Sequence, residues 1–119
     1  MQYMLMFYET PAEQARADDP QQAQSYWGAW TAYVGAVEGS GLMRGGNGLQ
    51  PPRTATTVRV VNGQRQVQDG PFADTREHLG GYFILEADTL DEVLAWAARA
   101  PCAGAGSVEV RSVMDPPPA

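Results

Sequence analysis

One cysteine in 119 residues excludes an intrachain disulfide framework. Positive charge is also scarce. Eight Lys and Arg stand against fourteen Asp and Glu, for a formal charge of −6. With no lysine run and no basic stripe, the chain lacks the clustered cations that a nucleic acid or an anionic membrane would require. The one histidine, His78, and the one cysteine, Cys102, are separated by 23 residues and match no metal-ligand pattern. No metal and no cofactor are expected. There is no G-x-x-x-x-G-K-[ST] phosphate loop, and "GGNG" lacks the lysine and helix that would make one. The longest early apolar run, "YMLMFY", is too short to cross a bilayer, and the residues around it show no basic n-region or small-residue cleavage site. A cytoplasmic protein is expected.

What is present suffices for one core. A hydrophobic content of 44% is ordinary for a globular domain, and the length has no room for a second. The expected domain runs over residues 1–115, with 116–119 a frayed tail. Residues 3–8 are apolar on both alternating sets and read as a strand buried on both faces. Residues 9–22 read as a loop or a short helical turn punctuated by Pro11 and Pro20. From about Gln21 to Glu38 the period becomes helical, with Tyr26, Trp30, Tyr33 and Val37 on one stripe and "GSG" as the stop. Trp27, Trp30 and Tyr33 at this spacing read as core rather than as a ligand platform. Thr56–Val61 and Arg65–Gln68 flank an Asn-Gly hairpin signal. "GYFILEA" is a second strand apolar on both sides. "DTLDEVLAWAARA" is a helix capped by Asp88 or Thr89, with Leu90, Val93, Leu94 and Ala97 toward the core and Pro101 after its end. "SVEVRSV" is the last strand.

This order is β-α-β-β-α-β with an extra hairpin in the middle, an α+β, ferredoxin-like sandwich. Two helices cover one face of its sheet. Strands apolar on both sides need cover on the other face as well, and a second copy supplies it most economically. A homodimer is therefore expected.

The stretch "DGPFADTREHLGGYFILEADTLDEVLAWAARAP", with "GLQPPRTATTVRV" upstream and "GSVEVRSVMD" downstream, resembles the YCII-related (DGPF-domain) family. The resemblance spans nearly the whole chain. It implies a ferredoxin-like fold and a dimeric α/β barrel, and no established reaction. Some similar proteins look like companions of extracytoplasmic-function sigma factors, and an enzymatic role is suggested for relatives with a His/Asp pair. That pair is not carried over to this chain, which has one His.

Three residues stand as catalytic candidates. Asp69, in Asp-Gly-Pro, suits a structural turn, in which Asp accepts local amides, Gly takes a positive φ and Pro fixes the next residue. The same carboxylate at a strand end could act as a general base. His78 is the one residue of the type whose unperturbed pKa lies near neutrality, yet "TREHLGG" reads as a solvated loop. Glu86 interrupts an apolar strand face and calls for Arg59 or Arg111 as a partner, or a raised pKa. Asp74, Arg76 and Glu77 read as a hydrated face. Gly80-Gly81 reads as a close approach to a neighbour, and Cys102 as an inert small residue. The leading function is a homodimeric small-molecule-binding protein with weak or unassigned enzymatic activity. The alternatives are a cofactor-free acid–base hydrolase, lyase or oxygenase using Asp69 with His78 or Glu86, and a regulatory module associated with a sigma factor.

Overall fold

Alternation of side chains about strand β1 (Gln2–Glu9) organises the computed structural model, which describes residues 1–71 and 75–117. The order continues as α1 (Pro11–Arg16), α2 (Ala23–Gly39), β2 (Met43–Gly48), a 3-10 turn (Pro52–Thr54), β3 (Thr56–Val61), β4 (Gln64–Asp69), β5 (His78–Glu86), α3 (Leu90–Ala98) and β6 (Ser107–Ser112). The fold is α+β. Four strands form one antiparallel sheet in the order β2-β5-β1-β6, and β3 and β4 form a separate two-stranded sheet. Phe72, Asp74 and the last two residues of the expected tail lie outside the described residues.

The odd-numbered set of β1, Tyr3, Leu5 and Phe7, is buried and packs with Phe83, Leu85, Tyr33, Val37, Val93 and Ala97. Leu5, Leu85, Val37 and Val93 are fully enclosed, each a gain of about 1.5–3 kcal/mol in removed apolar surface. Phe7 is the aromatic centre. Its ring meets Phe83, Trp30 and Tyr33 edge-on at 4.8, 5.3 and 5.9 Å. The Tyr33 hydroxyl donates to the Trp96 carbonyl at 2.8 Å and so ties α2 to α3 over the same sheet face.

Each short element has a local cause. The stretch read as a loop or a short helical turn contains the helix α1, held by a capping box in which the Thr10 hydroxyl accepts from the Glu13 amide and the Glu13 carboxylate accepts from the Thr10 amide. Thr89 caps α3, with Asp91 and Glu92 in its first turn. Asn62 and Gly63 take φ of 52° and 77°, the left-handed pair that a tight hairpin turn requires.

Three burial expectations are corrected. Leu90 and Leu94 do not face the core; they are 47% and 44% exposed. Trp96 and Ala100 pack inward beside Val93 and Ala97, which rotates the two leucines toward solvent. The two central strands are not buried on both faces within one chain. Met4, Met6, Tyr8, Tyr82 and Ile84 are only half-buried, because both helices lie on the other side. Trp27 is exposed, its indole nitrogen donating to the Ala17 carbonyl at 3.2 Å. Among the described residues, no helix is long and apolar enough to cross a membrane.

Candidate functional site

The segment after β2 must leave the sheet, because Pro51 and Pro52 cannot continue its ladder. It returns as the 3-10 turn beside the start of β5. An open groove of about 360 Å³ forms there, lined by residues 49–52, Thr54, Ala55, Pro71, His78 and Leu79. Prolines and leucines dominate the wall, and His78 is the one titratable side chain among the described lining residues. That volume lies within the range of small-ligand sites. A second, more polar cleft of about 420 Å³ is lined by Thr10, Pro11, Ala12, Arg76, Glu77 and Ala105. Glu77 is tied down there, accepting from the Ser107 hydroxyl at 2.6 Å.

The three sequence candidates have different fates. His78 opens β5, is half-buried, and borders the groove. Asp69 ends β4 as an exposed residue, two positions before the lining residue Pro71, and its own side chain does not line the groove. The turn that follows is held by its backbone: the Gly70 amide, at φ 95°, donates to the Ala55 carbonyl at 2.7 Å, and the Thr57 hydroxyl donates to the Gly70 carbonyl at 2.9 Å. Glu86 ends β5, about 25 Å along the strand from His78 at the usual rise per residue. Its carboxylate pairs with the Met1 ammonium at 3.0 Å, rather than with Arg59 or Arg111. The fold therefore brings Asp69 and His78 to the same end of the chain's structure and leaves Glu86 at the other.

The residue that sequence reasoning missed is Glu9. It is 5% exposed, the one buried charged side chain among the described residues. It stands opposite His78 in the β1–β5 register. The Tyr26 hydroxyl donates to its Oε2 at 2.6 Å. Burial pushes its pKa above the ordinary carboxylate value and the nearby Glu13 charge adds to this, while hydrogen bonds from Tyr26 and Trp30 pull the other way. Burial, with the bond to Glu9, raises the Tyr26 phenol as well. Gly80 leaves room for this carboxylate, since a methyl group in its place would lie 2.7 Å from Glu9 Oε1. The signal was available: Glu9 continues the buried set Tyr3, Leu5, Phe7, and a carboxylate in that register is a polar group in a core position.

Cys102 is fully enclosed, and burial pushes its thiol up to about 12. It stays a thiol at neutral pH and is no nucleophile. Among the described residues, no three His, Cys, Asp or Glu side chains are grouped to hold a metal ion.

The chain is 42% identical over 65 residues to an uncharacterized protein of Rhizobium meliloti (strain 1021), covering 53% of this chain and 52% of that protein. It thus spans about half the length of this curated relative. The structure of 5-chloro-2-hydroxyhydroquinone dehydrochlorinase from Burkholderia phenoliruptrix AC1100, in complex with 2,5-dihydroxybenzoquinone, superposes with a TM-score of 0.54. Coverage is 96% of this chain and 94% of that one, at 19% identity, a likeness of fold alone. The YCII-related domain model matches residues 1–116, which include both clefts, the Glu9–Tyr26 pair and all but the last three residues. The chain belongs to the YCII-related domain family.

Proposed function

We propose that the protein is a homodimeric, small-molecule-binding protein of the ferredoxin-like, dimeric α/β barrel type, working in the cytoplasm, with the groove beside His78 as its ligand site. The observation that carries this reading is the groove itself: a mostly apolar wall of about 360 Å³ with one imidazole in it. Such a wall favours a compact ring over a phosphate or a long chain. The half-buried outer sheet face supports the dimer, since Met4, Met6, Tyr8 and Ile84 gain cover only from another molecule. The dehydrochlorinase with its bound dihydroxybenzoquinone supplies a probe of suitable size.

His78 is the only histidine, so its imidazole Hε1 proton gives a single, unambiguous NMR signal. Titrating 2,5-dihydroxybenzoquinone should move that signal saturably, with light scattering reporting a dimer at micromolar concentration. No movement at millimolar probe would remove the groove as a ligand site, and a monomer would remove the assembly. The acid–base reading remains the second one, because the buried Glu9 adds a proton-holding group one strand from His78. In that reading Asp69→Asn abolishes turnover with probe binding intact, since an amide takes no proton at neutral pH. In the binding reading it changes neither.

A further inference from the structure

The β3–β4 arm is two-faced. Its register pairs Thr56, Val58 and Val60 with Asp69, Val67 and Arg65, and interleaves Thr57, Arg59 and Val61 with Gln68, Gln66 and Gln64. Because side chains alternate across a strand, one face collects Val58, Val60 and Val67 at its middle, flanked by Thr56, Asp69 and Arg65, while the other carries three glutamines with Thr57, Arg59 and Val61. A strand pair that alternates in this way normally packs its apolar face on something. In the single chain it does not: Val58, Val60 and Val67 are 57%, 69% and 58% exposed. The arm also spreads the molecule. The radius of gyration is 16.3 Å and the extents are 53 × 47 × 18 Å, against about 13.5 Å for a compact chain of this length. A lone two-stranded hairpin is marginal in water, so an arm of β-branched residues standing clear of its own domain needs a partner surface.

We propose that the valine face of the β3–β4 arm is an assembly surface that packs against a second copy of this chain. The inference rests on the homodimer reading and adds the arm to it. Area supports the second copy as the occupant. Four strands at about 4.8 Å spacing and six residues at about 3.3 Å rise present a sheet face of about 400 Å² per copy. Two such faces bury about 800 Å², half of the roughly 1,600 Å² of a stable interface. An arm face is about 20 Å by 10 Å, or about 200 Å². Two arms, each burying its own face and an equal area of the other copy, add about 800 Å² and bring the total to the usual size. An anionic lipid surface is disfavoured by the formal charge of −6.

The test is sedimentation equilibrium of the full chain and of Val58→Asp/Val67→Asp, whose positions are direct partners across the arm. The wild type should be a dimer. The double variant should dissociate at least about 100-fold more readily, the scale expected when an interface of this kind loses its apolar contacts. Its helical circular dichroism signal should be unchanged as a monomer, because neither side chain is buried in the protomer. Should the aspartates unfold the arm, Val58→Thr/Val67→Thr keeps the β-branched shape and should still weaken the dimer. A dimer constant within about twofold of wild type in both variants overturns the assembly role of the arm and leaves the sheet-face dimer standing. A monomeric wild type overturns both.

Discussion

Replacing Tyr26 by Phe removes the hydrogen bond to Glu9 and keeps the ring. The phenol donates to Glu9 Oε2 at 2.6 Å in a buried setting, and Phe keeps the ring that meets Trp27 edge-on at 4.9 Å. The cost depends on the charge of Glu9. Burial sets the folded pKa of Glu9 above its ordinary value of 4.5, and the Tyr26 bond restrains that rise. The contribution of Glu9 to stability is thus complete below about pH 4.5 and is lost as pH climbs through the folded pKa. Without the hydroxyl the folded pKa moves higher still, so the variant loses more than the wild type over that climb. With Glu9 protonated the missing bond is neutral and costs about 1 kcal/mol; with Glu9 ionised it is charge-assisted and costs about 1.5–3 kcal/mol. Urea melts of both proteins from about pH 5 to about pH 8 should show the gap widening with pH. A gap that stays flat or narrows would refute the placement of an ionisable Glu9 under Tyr26.

Two further substitutions probe the same region. Gly80→Ala should destabilise by about 1–3 kcal/mol, the scale of an overpacked core, because its methyl group meets a carboxylate that Tyr26 holds in place. Combined with Glu9→Ala it should cost much less, and additive penalties in a double-mutant cycle would contradict the close approach. Trp30→Ala should cost about 3 kcal/mol, since the indole is half-buried but touches both Phe7 and Tyr33 edge-on. A loss under about 1 kcal/mol in denaturant melts would place it outside the core.

The candidate site was only partly legible in the sequence. His78 and Asp69 stood out because their residue types carry chemistry, and the fold brings both toward one end of the molecule. Glu86 stood out for the same reason, yet lies at the far end of its strand, against the Met1 ammonium. Glu9 was hidden because it follows an apolar run and precedes Thr-Pro, where a carboxylate reads as the solvent-facing end of a strand. Its importance comes from Tyr26, 17 residues away, and from the gap left at Gly80.

Local physics decided most of the elements from sequence alone. The short apolar run of residues 3–8 makes β1, the aromatic stripe makes α2, Asn62-Gly63 makes the hairpin turn, and Thr89 starts α3. These features depend on neighbours a few residues apart. Tertiary structure decided which side of each element counts. Leu90 and Leu94 carry the same hydrophobic signal as Val93, but a helix turns only one narrow stripe to the sheet, and Trp96 and Ala100 occupy its other flank. The valines of the arm read like core strand residues, yet the connections at Pro52–Thr54 and Gly70 carry them clear of the sheet. Burial is a property of what lies across a gap, and residues far apart in the chain set that distance.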